Sequence, residues 1–176
     1  MKRQRNLITT LVLAITLVVL VISSGCKPKN TGFAIYLTAN NIPPAQLPVA
    51  TEIKPAAQPL ISIKDIISYD AQTHEIKLTT RGFKAVSQLG VPTDGTSFVV
   101  CVDGKPIYGG AFWTPVSSAS FSGLIIEKPL ITEGAPVIRI EKGYPTAAFF
   151  RGTDSRSDPA IMASLEKSGK LINAAK

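Results

Sequence analysis

Apolar and polar residues alternate with a period of two along many short stretches of this chain, and follow a helical period along only two. Phe33-Ala34-Ile35-Tyr36-Leu37 reads as a strand. Ile67 to Asp70 and His74 to Thr80 flank Ala71-Gln72-Thr73 as a hairpin, with Ile76 and Leu78 on one face and Glu75 and Lys77 on the other. Ser97 to Val102 is apolar enough to predict a central strand buried on both faces. Asp103-Gly104 follows it and predicts a type I′ turn, because both of its residues tolerate positive φ. The return strand, Lys105 to Trp113, contains Gly109-Gly110, the mark of a bulge or a close backbone approach. Leu124-Ile125-Ile126 and Val137 to Ile140 predict two more strands joined through Glu133-Gly134. Ala147 to Phe150 predicts an edge strand after the Gly143-Tyr144-Pro145 turn.

Helical spacing places Phe83, Val86 and Leu89 on one stripe of a short helix from Arg81 to Leu89, capped by Thr79 or Thr80. Asp158-Pro159 opens a closing helix to about Ser168, with Ile161, Met162 and Leu165 inward and Gly169 as its stop. Ser62-Ile63-Lys64-Asp65 has the residues of a capping box for one helical turn. Asn40 to Pro59 carries five prolines and excludes regular structure, so it predicts a covering loop across the surface, or alternatively an extended ligand for a partner. The elements sum to a single α+β domain over residues 33–172: a mixed or antiparallel sheet with two main helices packed on one face.

The first 26 residues have a different pattern. Lys2, Arg3 and Arg5 precede an apolar run from Leu7 to Ile22, and Ser23-Ser24-Gly25 lead to Cys26. A basic start, an apolar middle and a small-residue end are the physical signature of a secretory signal. The segment resembles a bacterial lipoprotein signal, although the family usually has Leu where Ser23 stands. The resemblance implies that residues 1–25 are removed, that Cys26 is lipidated and that residues 26–32 tether the domain to a membrane. The competing reading is an uncleaved anchor, but the run is shorter than the roughly 20 apolar residues a spanning helix needs. Both readings put the domain outside the cytoplasm, on the extracytoplasmic face of a membrane.

Charge and cysteine content change this picture little. The formal charge is +7, and without the three basic residues of the leader 16 Lys and Arg against 12 Asp and Glu leave about +4. These charges are scattered, and no basic helix or base-stacking motif accompanies them, so no nucleic-acid partner is expected. With Cys26 lipidated, Cys101 lacks a disulfide partner and reads as a small buried hydrophobe between Val100 and Val102.

Candidate chemistry is sparse. There is no glycine-rich phosphate loop, no nucleophile elbow and no metal-ligand cluster, so neither a cofactor nor a metal is expected. His74, the single histidine, stands at a strand end as a solvated or capping residue. Tyr108, Phe112 and Trp113 lie beside the Ser-rich loop Thr114 to Gly123 and would suit a peptide or glycan if exposed; otherwise Phe112 and Trp113 cap the core. Arg151 and Arg156 lie in an alternating-charge loop before a helix start, a place to hold an anion or to satisfy charge within the loop.

From Leu60 to Leu171 the chain resembles the extracytoplasmic head of the SecD protein-export subunit. The likeness rests on Gly82-Phe83 in a short helix, on Val102-Asp103-Gly104-Lys105-Pro106-Ile107-Tyr108, on Ile131-Thr132-Glu133-Gly134 where the family has Ile-Thr-Gly-Gly, and on a terminal helix. The family's membrane helices have no counterpart here, so the likeness implies an α+β head able to contact polypeptide. The functional expectation is a lipid-anchored envelope protein with a noncatalytic binding role towards a protein or peptide. The alternative is an envelope-polymer hydrolase with its site in the Ser-rich loop.

Overall fold

The computed structural model describes residues 31–129 and 135–173. Cys26 and the Ile131-Thr132-Glu133-Gly134 segment lie outside them. Nine strands form one sheet: β1 (Phe33–Leu37), β2 (Ile61–Ser62), β3 (Ile66–Asp70), β4 (Glu75–Leu78), β5 (Thr96–Val102), β6 (Lys105–Trp113), β7 (Phe121–Glu127), β8 (Val137–Tyr144) and β9 (Leu171–Ile172). Their order across the sheet is β2-β1-β5-β6-β7-β8-β4-β3-β9. Pairing is antiparallel except for β6 with β7 and β3 with β9. Two helices, α1 (Thr80–Ser87) and α2 (Pro159–Lys167), complete a single α+β domain.

Local chemistry accounts for the main turns. Asp103 and Gly104 take φ of 51° and 79°, and Val102 pairs with Lys105, so the expected two-residue turn joins β5 to β6. The bulge falls two residues before Gly109, opposite the step from Val100 to Cys101. The Asp70 carboxylate accepts from the N–H groups of Gln72 and Thr73 and folds the β3–β4 turn. Thr79 caps α1 by accepting from the Gly82 N–H, and Asp158 caps α2 by accepting from that of Ala160. At the far end of α2 the Lys170 N–H reaches back to the Leu165 carbonyl, with Gly169 at φ 65°.

The sheet coils on itself. Phe33 of β1 and Tyr69 of β3 have five strands between them in the sheet order, yet their ring centroids are 6.1 Å apart. A single 3-10 turn, Ile63–Asp65, joins β2 to β3 and ties the two ends of the sheet together. The buried Asp65 carboxylate accepts from the Ser62 N–H (2.9 Å) and hydroxyl (2.7 Å), and pairs with Arg81 at 2.5 Å. Helix α1 lies against this corner at Gly82, where a Cβ would come within 2.9 Å of Asp65 Cβ. Inside the coil, Phe98, Phe112, Ile126 and Ile140 from the sheet meet Phe83 and Val86 of α1 and Ile161 and Leu165 of α2. Both helices therefore pack on one face. Fully burying one such side chain is worth about 1.5–3 kcal/mol, so this inner face carries most of the stability.

Several sequence expectations are corrected. Ala147–Phe149 is a 3-10 turn rather than an edge strand. β7 begins at Phe121, inside the expected Ser-rich loop. The two-residue strands β2 and β9 were unforeseen, being too short to carry a periodicity. His74 is 7% exposed rather than solvated, and its φ of 57° turns the chain at the start of β4.

Candidate functional site: a cleft beside the proline-rich strap

The aromatic residues expected on the surface are buried. Tyr108 is 6% exposed, Phe112 0% and Trp113 3%. Strand alternation also divides them between faces: Tyr108 and Phe112 point into the main core, whereas Trp113 joins Ala111 and Ile125 on the outer face. There Trp113 stacks on Phe121 at 5.2 Å and tilts against Tyr144 at 5.8 Å. The expected aromatic ligand surface is thus core, because β6 is covered on both sides. Of the two readings of Arg151 and Arg156, an anion site or charge satisfied locally, the second fits the bonds they make to nearby protein groups. Arg156 donates to both Asp154 carboxylate oxygens (2.8 and 2.7 Å) and to the Ile140 carbonyl (2.9 Å). This pairing pulls the Asp154 carboxyl down to about 2. Arg151 donates to the carbonyls of Ala148 and Phe150.

A second polar group lies deeper. The Tyr69 hydroxyl stands 3.1 Å from both His74 Nδ1 and the Arg156 carbonyl. A phenol has one proton, and the carbonyl can only accept. Tyr69 therefore donates to Arg156, and His74 donates from Nδ1, leaving the lone pair on Nε2. Burial, more than the nearby Arg156, pushes the His74 pKa below 6.5, so the ring is neutral. The inner polar cluster satisfies itself and closes the coil.

The outer face of the sheet is organised differently. Residues 40–59 form a strap over it, pinned where Thr38 bridges Pro55 and where the Ala39 and Ala56 N–H groups donate to Lys54 and Leu37. Leu47 and Ile53 press onto Ala34, Tyr36, Val99 and Cys101. Gly109 leaves room for them, since a Cβ there would lie 2.6 Å from Leu47 Cδ2 and 2.7 Å from Ile53 Cδ1. Cys101 is fully buried under the strap, and burial raises its thiol to about 11, as expected of a packing residue.

Clefts flank the strap on both sides and share Pro44. One, of about 480 Å³, has the Ser-rich segment Ser120 to Gly123 as its other rim. The second, of about 390 Å³, lies between strap residues Ile42 and Pro43 and the α1–β5 loop, where Leu89 and Pro92 face them. Its lining includes Thr38 and Ser97, both buried, and its one ionisable lining residue is Asp94. Thr38 Oγ1 accepts from the Ile42 N–H. Ser97 is 2% exposed, and its hydroxyl has no partner among the described residues. Three other buried groups share that state, Tyr108 OH, Trp113 Nε1 and Ser164 Oγ. Of these, Ser164 also lines a cleft, a groove of about 470 Å³ between α2 and Gly32, in a residue that is as a whole partly exposed.

The strap cleft therefore combines apolar walls with an unpaired hydroxyl on a rigid strand. The hydroxyl has no accessible surface, so what the cleft offers a ligand is apolar contact. Among the described residues no base is hydrogen-bonded to the Ser97 hydroxyl. Sequence reasoning passed over Ser97, taking it only as the first residue of a buried strand. The available signal was a lone polar residue opening the run Phe98-Val99-Val100-Cys101-Val102. Among the described residues no group of three or more His, Cys, Asp or Glu is placed to hold a metal ion, and no helix is long and apolar enough to cross a membrane. No protein-family model matches the chain, and neither a curated protein nor a solved structure matches it.

Proposed function

We propose that this is a lipid-anchored protein of the cell envelope whose α+β domain binds a protein or peptide partner outside the cytoplasm, without acting on it chemically. Two things in the sequence support the anchored location: the basic, apolar and small-residue succession of residues 1–25, and Cys26 directly after Gly25. The sequence likeness of residues 60–171 to the SecD head implies a head able to contact polypeptide, but such an analogy does not by itself supply the ligand. The observation that carries the binding reading is the strap cleft, with Ile42, Pro43, Leu89 and Pro92 in its walls.

Two experiments test the two halves of this reading. Cells fed a clickable palmitate analogue should label the wild-type protein and not Cys26→Ser; equal labelling of both would remove Cys26 as the acceptor. A photo-cross-linking amino acid at position 89, on the cleft wall, should capture a discrete partner in intact envelopes. The same probe at position 67, an exposed site on β3, should not. Indistinguishable patterns from the two positions would refute the cleft as the binding surface.

A further inference from the structure

We propose that the end of the domain at which the tether enters is a membrane-docking face, on which Lys64, Lys105 and Lys167 hold the domain against an anionic bilayer surface. This rests on the reading of Cys26 as the lipid anchor, and it adds which face of the domain the membrane meets. Covalent reach is the first argument. Only residues 27–31 separate Cys26 from Gly32, and a chain spans at most about 3.6 Å per residue, so Gly32 stays within about 22 Å of the anchored cysteine. A domain of this length is about 37 Å across. The tether is shorter than the domain is wide, and the end that carries Gly32 is held towards the bilayer.

Three elements converge on that end, and each brings a lysine. The Asp103-Gly104 turn is bonded to Gly32 in both directions: the Gly32 N–H donates to the Asp103 carboxylate (2.7 Å) and the Asp103 N–H to the Gly32 carbonyl (3.1 Å). Lys105 follows this turn. Ile63 of the 3-10 turn lies beside Gly32, where a Cβ would be 3.6 Å from its side chain, and Lys64 follows it. Lys167 of α2 lines a groove with Thr31 and Gly32. All three lysines are exposed, and none forms an ion pair among the described residues. Lys27 and Lys29 in the tether add two more. Against these five and Arg81 stand four acids, of which Asp65 is paired with Arg81, Asp103 accepts from Gly32 and Asp158 caps α2, leaving Glu166. A lysine close to an anionic membrane is worth about fivefold in binding, so three are worth about a hundredfold. The lipid holds the protein to the bilayer, and the lysines set its orientation. That orientation turns the opposite ends of β1 and β5, where the strap cleft opens, away from the membrane.

The test uses the full-length protein, purified from membranes and reconstituted into vesicles of phosphatidylcholine alone or of equal parts phosphatidylcholine and phosphatidylglycerol. Both carry a lipid with a spin-labelled headgroup as quencher. A fluorophore on Ser168→Cys reports the tether end, and one on Val116→Cys, an exposed site beyond the end of β6, reports the far end; Cys101 is buried and takes little label. Quenching at position 168 should be several-fold stronger on the anionic vesicles and should fall to the neutral level in about 1 M salt, where charges are screened beyond about 3 Å. Replacing Lys64, Lys105 and Lys167 together by Gln should do the same, with an unchanged urea midpoint. Replacing Lys54, Lys77 and Lys128 by Gln removes as much charge from the other end of the sheet and should leave the quenching in place. Equal quenching at position 168 on both vesicles would overturn the docking face, as would equal loss in the two triple variants, or stronger quenching at position 116 than at 168. If any of these occurs while Cys26 still takes up palmitate, the face is wrong and the anchor stands. Equal palmitate labelling of wild type and Cys26→Ser removes the anchor, and the docking face with it.

Discussion

Gly109 and Gly110 are neighbours in β6, and they face two different kinds of packing. Gly110 faces the inside of the coiled sheet, where a Cβ would lie 2.5 Å from both the Leu124 carbonyl oxygen and the Phe98 ring. Gly109 faces the strap, where a Cβ would meet only the ends of two flexible side chains, Leu47 and Ile53. The inner obstacle is backbone and packed aromatic, and it has nowhere to go. The outer one sits on a segment held at its ends by a few backbone hydrogen bonds. The buried polar groups do not divide along the same line: inside, Tyr69 bonds His74 and the Arg156 carbonyl while the Tyr108 hydroxyl is unpaired, and Ser97 is unpaired beside the strap. One face is built for stability, and the other keeps a cover that can give way.

Alanine at each glycine is the sharpest way to break this contrast. Gly110→Ala should cost more than about 3 kcal/mol, enough to leave much of the protein unfolded. Gly109→Ala should cost about 1–2 kcal/mol, because Leu47 and Ile53 can move aside. Urea denaturation followed by far-UV circular dichroism separates the two, and equal losses would dissolve the distinction between the faces. Native-state labelling of Cys101 with a maleimide should stay slow in the wild type and rise in Gly109→Ala as the strap lifts. Unaltered labelling would show the strap to be as fixed as the core.

The self-satisfied inner cluster makes a pH-dependent prediction of smaller size. His74 is held neutral by burial, with Arg156 and Lys142 opposing its protonation and Asp154 and Asp70 favouring it, and the first effects win. Its folded pKa lies below the ordinary 6.5, so the unfolded chain binds the proton more readily. Its contribution is therefore present above 6.5 and is lost as pH falls through the depressed folded value. His74→Asn, which suits the positive φ, should flatten the decline of the thermal midpoint as pH drops below 6.5. An unchanged slope would place the titrating group elsewhere. The smallest effect belongs to Ser97→Ala. Removing a hydroxyl that has no partner should leave the urea midpoint unchanged or raise stability by up to about 1 kcal/mol, whereas a well-bonded serine would lose about that amount.

What could be read from sequence follows the distance over which each feature is decided. The Asp103-Gly104 turn, the capped helix starts at Thr79 and Asp158, and the close approach at Gly109-Gly110 depend on neighbouring residues, and each appears where its residue types demand. The strands β2 and β9 exist only because β1 and β3 offer them a partner, which two residues cannot announce. Tyr108, Phe112 and Trp113 misled for a related reason. A strand covered on both faces loses the polar half of its alternation, so its aromatics look as available as they would at a surface. The cleft depends on the strap meeting the α1–β5 loop, and neither segment has a periodicity that places it against the other.

The pairing of early strands with late ones fixes the order in which this protein can acquire structure. β1 waits for β5, β4 for β8 and β3 for β9, while β3–β4 is the one early pair formed locally. Such long-range pairing makes folding slow. In a chain emerging from its N-terminus, β1 could pair with β2 and β5 early, whereas β4 and β3 would lack β8 and β9 until the last segment had followed. Nascent chains stalled before Val137 should be cleaved readily by protease while the finished protein resists, so that arrival of residues 137–176 completes the fold.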